Sequence, residues 1–250
     1  MDILDKFIEQ AKENVESGYY NVTIKHTLDK TSLKQKILSQ NFTLISEIKH
    51  ASPAGEYSFD NIDVEKAAET FKQAGSDAIS VVVEPKIFKG NLSNISIAKK
   101  TGLPVLFKDF VFHEKQIKTA AALGADCILL VMKVVDRLAI DINELIAKAH
   151  EHKLEVLLEC YDSDEMRRAI KTDADILGIN NRDLRSLHVD LNRTKEIMKF
   201  AKNKPVISES GINSRKDAEF VRACGVKGIL VGTALWKTDN QLEKIRELKL

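Results

Sequence analysis

From residue 42 onward, short apolar runs alternate with longer amphipathic stretches. The runs 42–49, 77–83, 104–108, 126–131, 154–159, 175–180, 205–209 and 227–232 are continuously apolar, as strands buried on both faces are. Between and after them, 62–74, 91–101, 113–123, 136–151, 162–171, 192–202, 213–224 and 237–248 predict helices. Eight strands, each followed by a helix, predict a closed (β/α)8 TIM barrel. Gly75, Gly124 and Gly225 stand between a helix and the next strand, where a left-handed residue ends a helix cheaply. An open doubly wound sheet is the alternative, but no glycine-rich dinucleotide fingerprint follows the first strand. Residues 1–41 lie outside the repeat. Ile3, Leu4, Phe7, Ile8 and Ala11 share one helical face, and a second helical segment, Ser32–Ser39, follows a Thr-rich link. This reads as a helical extension covering one barrel end, so that 1–250 form a single domain with 1–41 the extension and 42–250 the barrel.

Composition narrows the class without choosing it. The chain is 44% hydrophobic and 30% charged, which supports a sizeable core and argues against disorder. Its net charge of +1 lends no support to nucleic-acid or polybasic membrane binding, and its longest apolar run, near Cys127–Met132, is far short of a membrane span. The N-terminus mixes acids and bases without a secretion signal's apolar region. Cys127, Cys160 and Cys224 lack metal-type spacing and read as reduced core thiols of a cytoplasmic protein.

Barrel enzymes carry their chemistry at the C-terminal ends of the strands. Those ends hold Glu47 and Lys49, Glu84, Lys108, Glu159, Asn180, then Glu209, Ser210 and Gly211, and finally Gly232 and Thr233. One such residue is often a solvated group where strand meets loop; a whole convergent set points to a site. Glu47 and Lys49 are two apart and share a strand face, although Ile45 complicates strict polar alternation. Gly211 and Gly232 fall in the loops after the seventh and eighth strands, where barrels often bind phosphate beside a short extra helix. Taken singly, each is an ordinary turn glycine. His150 and His152 at a helix end, and Lys99-Lys100, read as surface residues. Arg182 either contacts a ligand or pairs with the adjacent Asp183.

At these residues the chain resembles the indole-3-glycerol phosphate synthase family, from about residue 42 to the C-terminus. The most specific match is Glu47-Ile48-Lys49-His50-Ala51-Ser52-Pro53, similar to the family's E-x-K-x-x-S-P signature. Phe88-Lys89-Gly90, Lys108-Asp109-Phe110, Glu159, Gly178–Leu184 and Glu209-Ser210-Gly211-Ile212 follow in family order. His50 replaces a usual Arg and Ala54 a common Ser. The resemblance implies closure of 1-(2-carboxyphenylamino)-1-deoxyribulose 5-phosphate to indole-3-glycerol phosphate, with loss of carbon dioxide and water. It implies Lys108 as general acid, with Lys49, paired with Glu47, holding the substrate carboxylate or assisting proton transfer. Glu159 takes or relays a proton in dehydration, and Asn180 and Glu209 orient hydroxyls. Phe88 and Phe110 form an apolar wall. Ser52, Gly211, Gly232 and Thr233 grip the phosphate, with Arg182 and Ser210 also substrate-binding. The resemblance implies no metal or organic cofactor, a small phosphorylated substrate as the partner, no nucleic acid or membrane, and a monomer or weak homo-oligomer.

Three other readings share parts of this pattern. A phosphoribosylanthranilate isomerase would use a Cys/Asp pair and leaves Glu47, Lys49 and Lys108 unexplained. A Schiff-base aldolase would make Lys49 or Lys108 a nucleophile. A sensor would keep the phosphate site without turnover, yet every group to which chemistry is assigned is present.

Overall fold

The computed structural model describes residues 2–23 and 29–250, so the Thr-rich link lies partly outside the described residues. Eight strands follow the expected runs closely: β1 Thr43–Ile48, β2 Ala78–Val82, β3 Val105–Lys108, β4 Cys127–Val131, β5 Glu155–Cys160, β6 Ile176–Asn180, β7 Val206–Glu209 and β8 Gly228–Val231. All pair in parallel with their sequence neighbours, and β8 returns to β1, closing the barrel. The fold is a (β/α)8 TIM barrel.

The helices preceding the barrel are α1 Ile3–Glu16 and α2 Leu33–Ser39. Those around it are α3 Val64–Ala74, α4 Ser93–Lys99, α5 Glu114–Ala122, α6 Met132–Leu138, α7 Ile142–Glu151 and α8 Ser163–Ala169. They continue with α9 Asn192–Ile197, α10 Arg215–Ala223, α11 Thr233–Trp236 and α12 Gln241–Leu248. Local chemistry sets their ends. Asp63 accepts from the Lys66 N–H at the start of α3, and Gly75 closes that helix at φ +99°. The single helix expected over 136–151 is two. Ala139 turns left-handed at φ +53° to end α6, and Asp141 caps α7 through the Asn143 N–H. The short α11 is the extra helix after the eighth strand.

The N-terminal segment does not cover one end of the barrel; its two helices serve opposite ends. Near α1, Asn14 bonds Glu84, the Tyr19 hydroxyl donates to the Val83 carbonyl, and Tyr20 donates to Asp109, all beyond strand C-termini. Around α2, the Thr31 N–H donates to Asp126, and Ser32 and the Lys34 N–H donate to Glu155, at strand N-termini. Leu33 and Ile37 of α2 are fully buried. A helical stripe in the sequence says that one face is covered, not by which end of the barrel.

Two smaller expectations also change. Lys99 is not solvated: its ammonium lies 2.6 Å from the Asp126 carboxylate, and both side chains are buried. Asp126 also accepts from the Val105 and Thr31 N–H groups, so the buried anion is enclosed by donors. Lys100 is exposed and pairs with Glu65. Cys127 and Cys160 are core thiols, but Cys224 is partly exposed at the end of α10. His150 is half-exposed and meets Asp175 at 2.9 Å.

Candidate active site

Odd-numbered strands build the centre of the site. Each carries, at or next to its C-terminal end, an aliphatic residue, a spacer and an ionisable group: Ile45-Ser46-Glu47, Leu106-Phe107-Lys108, Leu157-Leu158-Glu159 and Ile207-Ser208-Glu209. Alternation turns first and third residues inward together. Ile45, Leu106, Leu157 and Ile207 share one buried cluster inside the barrel, and the four ionisable groups line the cavity above. Alternate strands therefore supply one layer, as barrel geometry requires. Ile45 does not break the pattern; it is the layer beneath Glu47.

The cavity holds about 990 Å3 including its open mouth. All the candidate residues meet there: Glu47, Lys49, Ser52, Phe88, Lys108, Phe110, Glu159, Asn180, Arg182, Glu209, Ser210, Gly211, Gly232 and Thr233. Lys49 lies 3.0 Å from Glu47, and Lys108 lies 3.8 Å from both Glu47 and Glu209. On one side Phe7, Phe88 and Phe110 form an aromatic wall, with Phe7 and Phe110 stacked at 5.0 Å. Opposite, the loops after β7 and β8 both reach the cavity. Ser210 and Gly211 have φ of +65° and +82°, a turn that favours glycine at the second position.

The glycines also make room for carboxylates. A Cβ at Gly232 would stand 2.4 Å from Glu47 Oε1, and one at Gly178 would stand 2.3 Å from Glu209 Oε1. Gly232, whose loop also suits phosphate approach, therefore has a second constraint from the neighbouring strand β1.

Electrostatics separate the ionisable groups. Burial opposes the charge on Lys108, but Glu47, Glu209 and Glu159 outweigh it and hold the ammonium above its ordinary range. Burial and the neighbouring Glu159 push Glu209 upward, against Lys108, so it favours its neutral form. At Glu47 burial pushes upward, yet Lys49 and Lys108 prevail and keep it ionised. The carboxylates thus differ in protonation although they share a ring.

Asp109, buried beside Lys108, rises from 3.8 to about 6 because burial outweighs the Tyr20 and Phe110 hydrogen bonds to its carboxylate. The folded state binds this proton more tightly than the unfolded chain does. Its contribution to stability is complete below about pH 4 and is lost as pH rises through about 6. In Asp109→Asn that loss should vanish, flattening the profile by on the order of 2–3 kcal/mol. Urea midpoints from pH 4 to 7 measure it; identical slopes in both proteins would refute the assignment.

Several site residues were not foreseen. Phe7 reaches the wall from α1, and nothing in a helical stripe marks one of its members as facing a cavity. Arg182 does not pair with Asp183, which instead meets Arg185 and Tyr161. The Arg182 guanidinium lies 3.4 Å from Glu56, and the same Glu56 oxygen accepts from Ser52 at 2.7 Å. Glu56 sits in the β1–α3 loop, outside any periodic signal.

Comparison with known proteins identifies the family. The family model described as indole-3-glycerol phosphate synthase matches residues 4–248. An indole-3-glycerol phosphate synthase of Bacillus cereus is 37% identical over 243 residues, covering 95% of this chain and 94% of the relative. The enzyme of that name from Bacillus mycoides is 37% identical over 242 residues, with the same coverage. Among solved structures, a thiamine phosphate pyrophosphorylase from Pyrococcus furiosus superposes with TM-score 0.62 at 21% identity, over 87% of this chain and 96% of that one. The N-acetylmannosamine-6-phosphate 2-epimerase of Clostridium perfringens gives 0.60 at 15%, over 85% and 93%. These two likenesses concern the fold.

Proposed function

The chain belongs to the indole-3-glycerol phosphate synthase family, and from that premise we propose how its side chains divide the reaction. The activity is a carboxy-lyase ring closure in tryptophan biosynthesis, taking 1-(2-carboxyphenylamino)-1-deoxyribulose 5-phosphate to indole-3-glycerol phosphate, carbon dioxide and water. The carrying observation is the layer Glu47, Lys108, Glu159 and Glu209, set between an aromatic wall and two glycine-bearing loops.

The phosphate belongs with Ser52, Ser210, Gly211, Gly232 and Thr233, and the aryl ring against Phe88 and Phe110. Anchoring both ends brings the aromatic carbon to the ketone and lowers the entropic part of the barrier. As the new bond forms, charge grows on the ketone oxygen, and Lys108 donates the proton that discharges it. Lys49, held by Glu47, faces the substrate carboxylate until it leaves as carbon dioxide. Loss of that group restores the aromatic ring. The hydroxyl then leaves the former ketone carbon while the new ring loses a proton, which Glu159 takes and relays so that the two depart together as water. Asn180 and the neutral Glu209 orient the chain hydroxyls. Neither buried thiol lines the cavity, which leaves a Cys/Asp isomerase reading without its cysteine. Expression in a bacterium lacking this synthase should restore growth without tryptophan, and failure of well-expressed protein to do so would count against the reading.

Glu56 occupies a revealing place. Its carboxylate holds Ser52 and Arg182, two side chains that the substrate's anionic groups require. Binding must displace it. Glu56→Gln should lower KM by roughly two- to five-fold, the range of a partly exposed ion pair, with kcat little changed. A raised KM would show instead that Glu56 orders the loop for substrate.

A further inference from the structure

We propose that Glu84 is a positioning residue for this reaction: its buried carboxylate folds the loop between β2 and α4 so that Phe88 stands in the aromatic wall. The proposal rests on the reading of that wall as the aryl-ring site.

Glu84 follows β2 and is 1% exposed. Its Oε1 accepts from Asn14 Nδ2 at 3.2 Å and from the Lys86 N–H at 2.8 Å. Its Oε2 accepts from the Ile87 and Phe88 N–H groups at 2.6 and 2.9 Å. No ion pair involves Glu84 among the described residues, so backbone and amide dipoles solvate the charge. Such a nest gathers three consecutive N–H groups on one anion and leaves the segment little freedom. Pro85 has no N–H to contribute, which matches the donors beginning at Lys86.

The rest of the loop locks around this centre. The Gly90 N–H returns to the Glu84 carbonyl at 2.7 Å, and a Cβ at Gly90 would stand 2.4 Å from the Val82 carbonyl oxygen. Phe88 then has its ring near Phe7 and Phe110, while its carbonyl accepts from the Ala51 N–H at 3.1 Å. That last bond joins the loop to the segment carrying Ser52. Glu84 borders the cavity, yet both its oxygens are engaged by protein donors. This places it behind the site, acting through Phe88.

Glu84→Gln keeps the size but puts an amide N–H2 where backbone donors converge, so the loop must shift. The test uses the full chain and two ligands, indole-3-glycerol phosphate, which has the ring, and glycerol 3-phosphate, which does not. Affinity for the first should fall roughly ten-fold, as for a lost charged hydrogen bond, and affinity for the second should stay within about two-fold. Turnover should lose efficiency through KM more than through kcat. Phe88→Leu should show a similar loss, and adding Glu84→Gln to it should cost little more, because the two act as a unit. Equal losses for both ligands, or additive effects in the double variant, would overturn the proposal. Should Glu84→Gln fail to fold, Asn14→Ala removes one donor and should reproduce the same ligand contrast more weakly; no contrast there overturns it too. Unchanged indole-3-glycerol phosphate affinity in Phe88→Leu alone would sink the reading of the wall rather than the role of Glu84.

Discussion

Replacing Lys108 with Met lowers single-turnover ring closure by ~10²-fold or more, the lower range for a positioned acid. Met keeps most of the apolar stem and removes the proton. The loops assigned to phosphate follow β7 and β8, and Lys108 is not among the residues assigned to that grip, so binding of glycerol 3-phosphate should be largely spared. Lys108→Arg should rescue poorly, since guanidinium keeps the charge but releases a proton far less readily. That contrast carries the argument, because Glu47, Glu209 and Glu159 hold Lys108 charged and an electrostatic role alone would be served by either cation. Near-normal chemistry in the Arg variant would leave Lys108 with charge stabilisation and move the acid to Lys49. Steady-state rates can hide a slowed chemical step behind product release, so the single-turnover rate is the one to compare.

Gly232→Val should damage binding and chemistry together. A side chain at this position crowds the loop assigned to phosphate. It also places Cβ 2.4 Å from Glu47 Oε1, a distance that carbon and oxygen do not sustain. Glu47 has little room to retreat: it is 3% exposed and pairs with Lys49 and Lys108. Displacing it disturbs both lysines at once. The expected result is a KM increase and a kcat decrease, each of roughly ten-fold or more, as for other misplacements of catalytic groups. A variant that raised KM alone would confine Gly232 to the phosphate, as sequence reasoning by itself suggests. Calorimetric binding of indole-3-glycerol phosphate beside single-turnover rates separates the two effects.

The barrel was legible because parallel strands buried on both faces are continuously apolar and helix joints carry glycine. The site was legible where strand ends carry charge, since Glu47, Lys108, Glu159 and Glu209 each follow an inward aliphatic by two residues. What escaped depends on contacts between distant segments. Lys99 reads as solvated because it stands beside a second lysine on a helix, and its partner Asp126 arrives 27 residues later. The opposite placement of α1 and α2 could not be read from their stripes. Nor could the loop carboxylate Glu56, whose partners are fixed only when the barrel brings separate loops together; Glu84 is legible as a strand-end carboxylate, but not its hold on the loop that follows. Gly232 is legible for one reason and has two, the second lying on the adjacent strand at Glu47, a pairing that only barrel closure creates.

One measurement bears most directly on the central claim, that this ring of side chains closes the indole ring. Purified protein in excess over 1-(2-carboxyphenylamino)-1-deoxyribulose 5-phosphate, labelled at the carboxylate, is followed for indole fluorescence and released carbon dioxide. One indole and one carbon dioxide per substrate are expected, in a reaction that Lys108→Met slows by ~10²-fold or more. Tight binding of the substrate with neither product formed would contradict it.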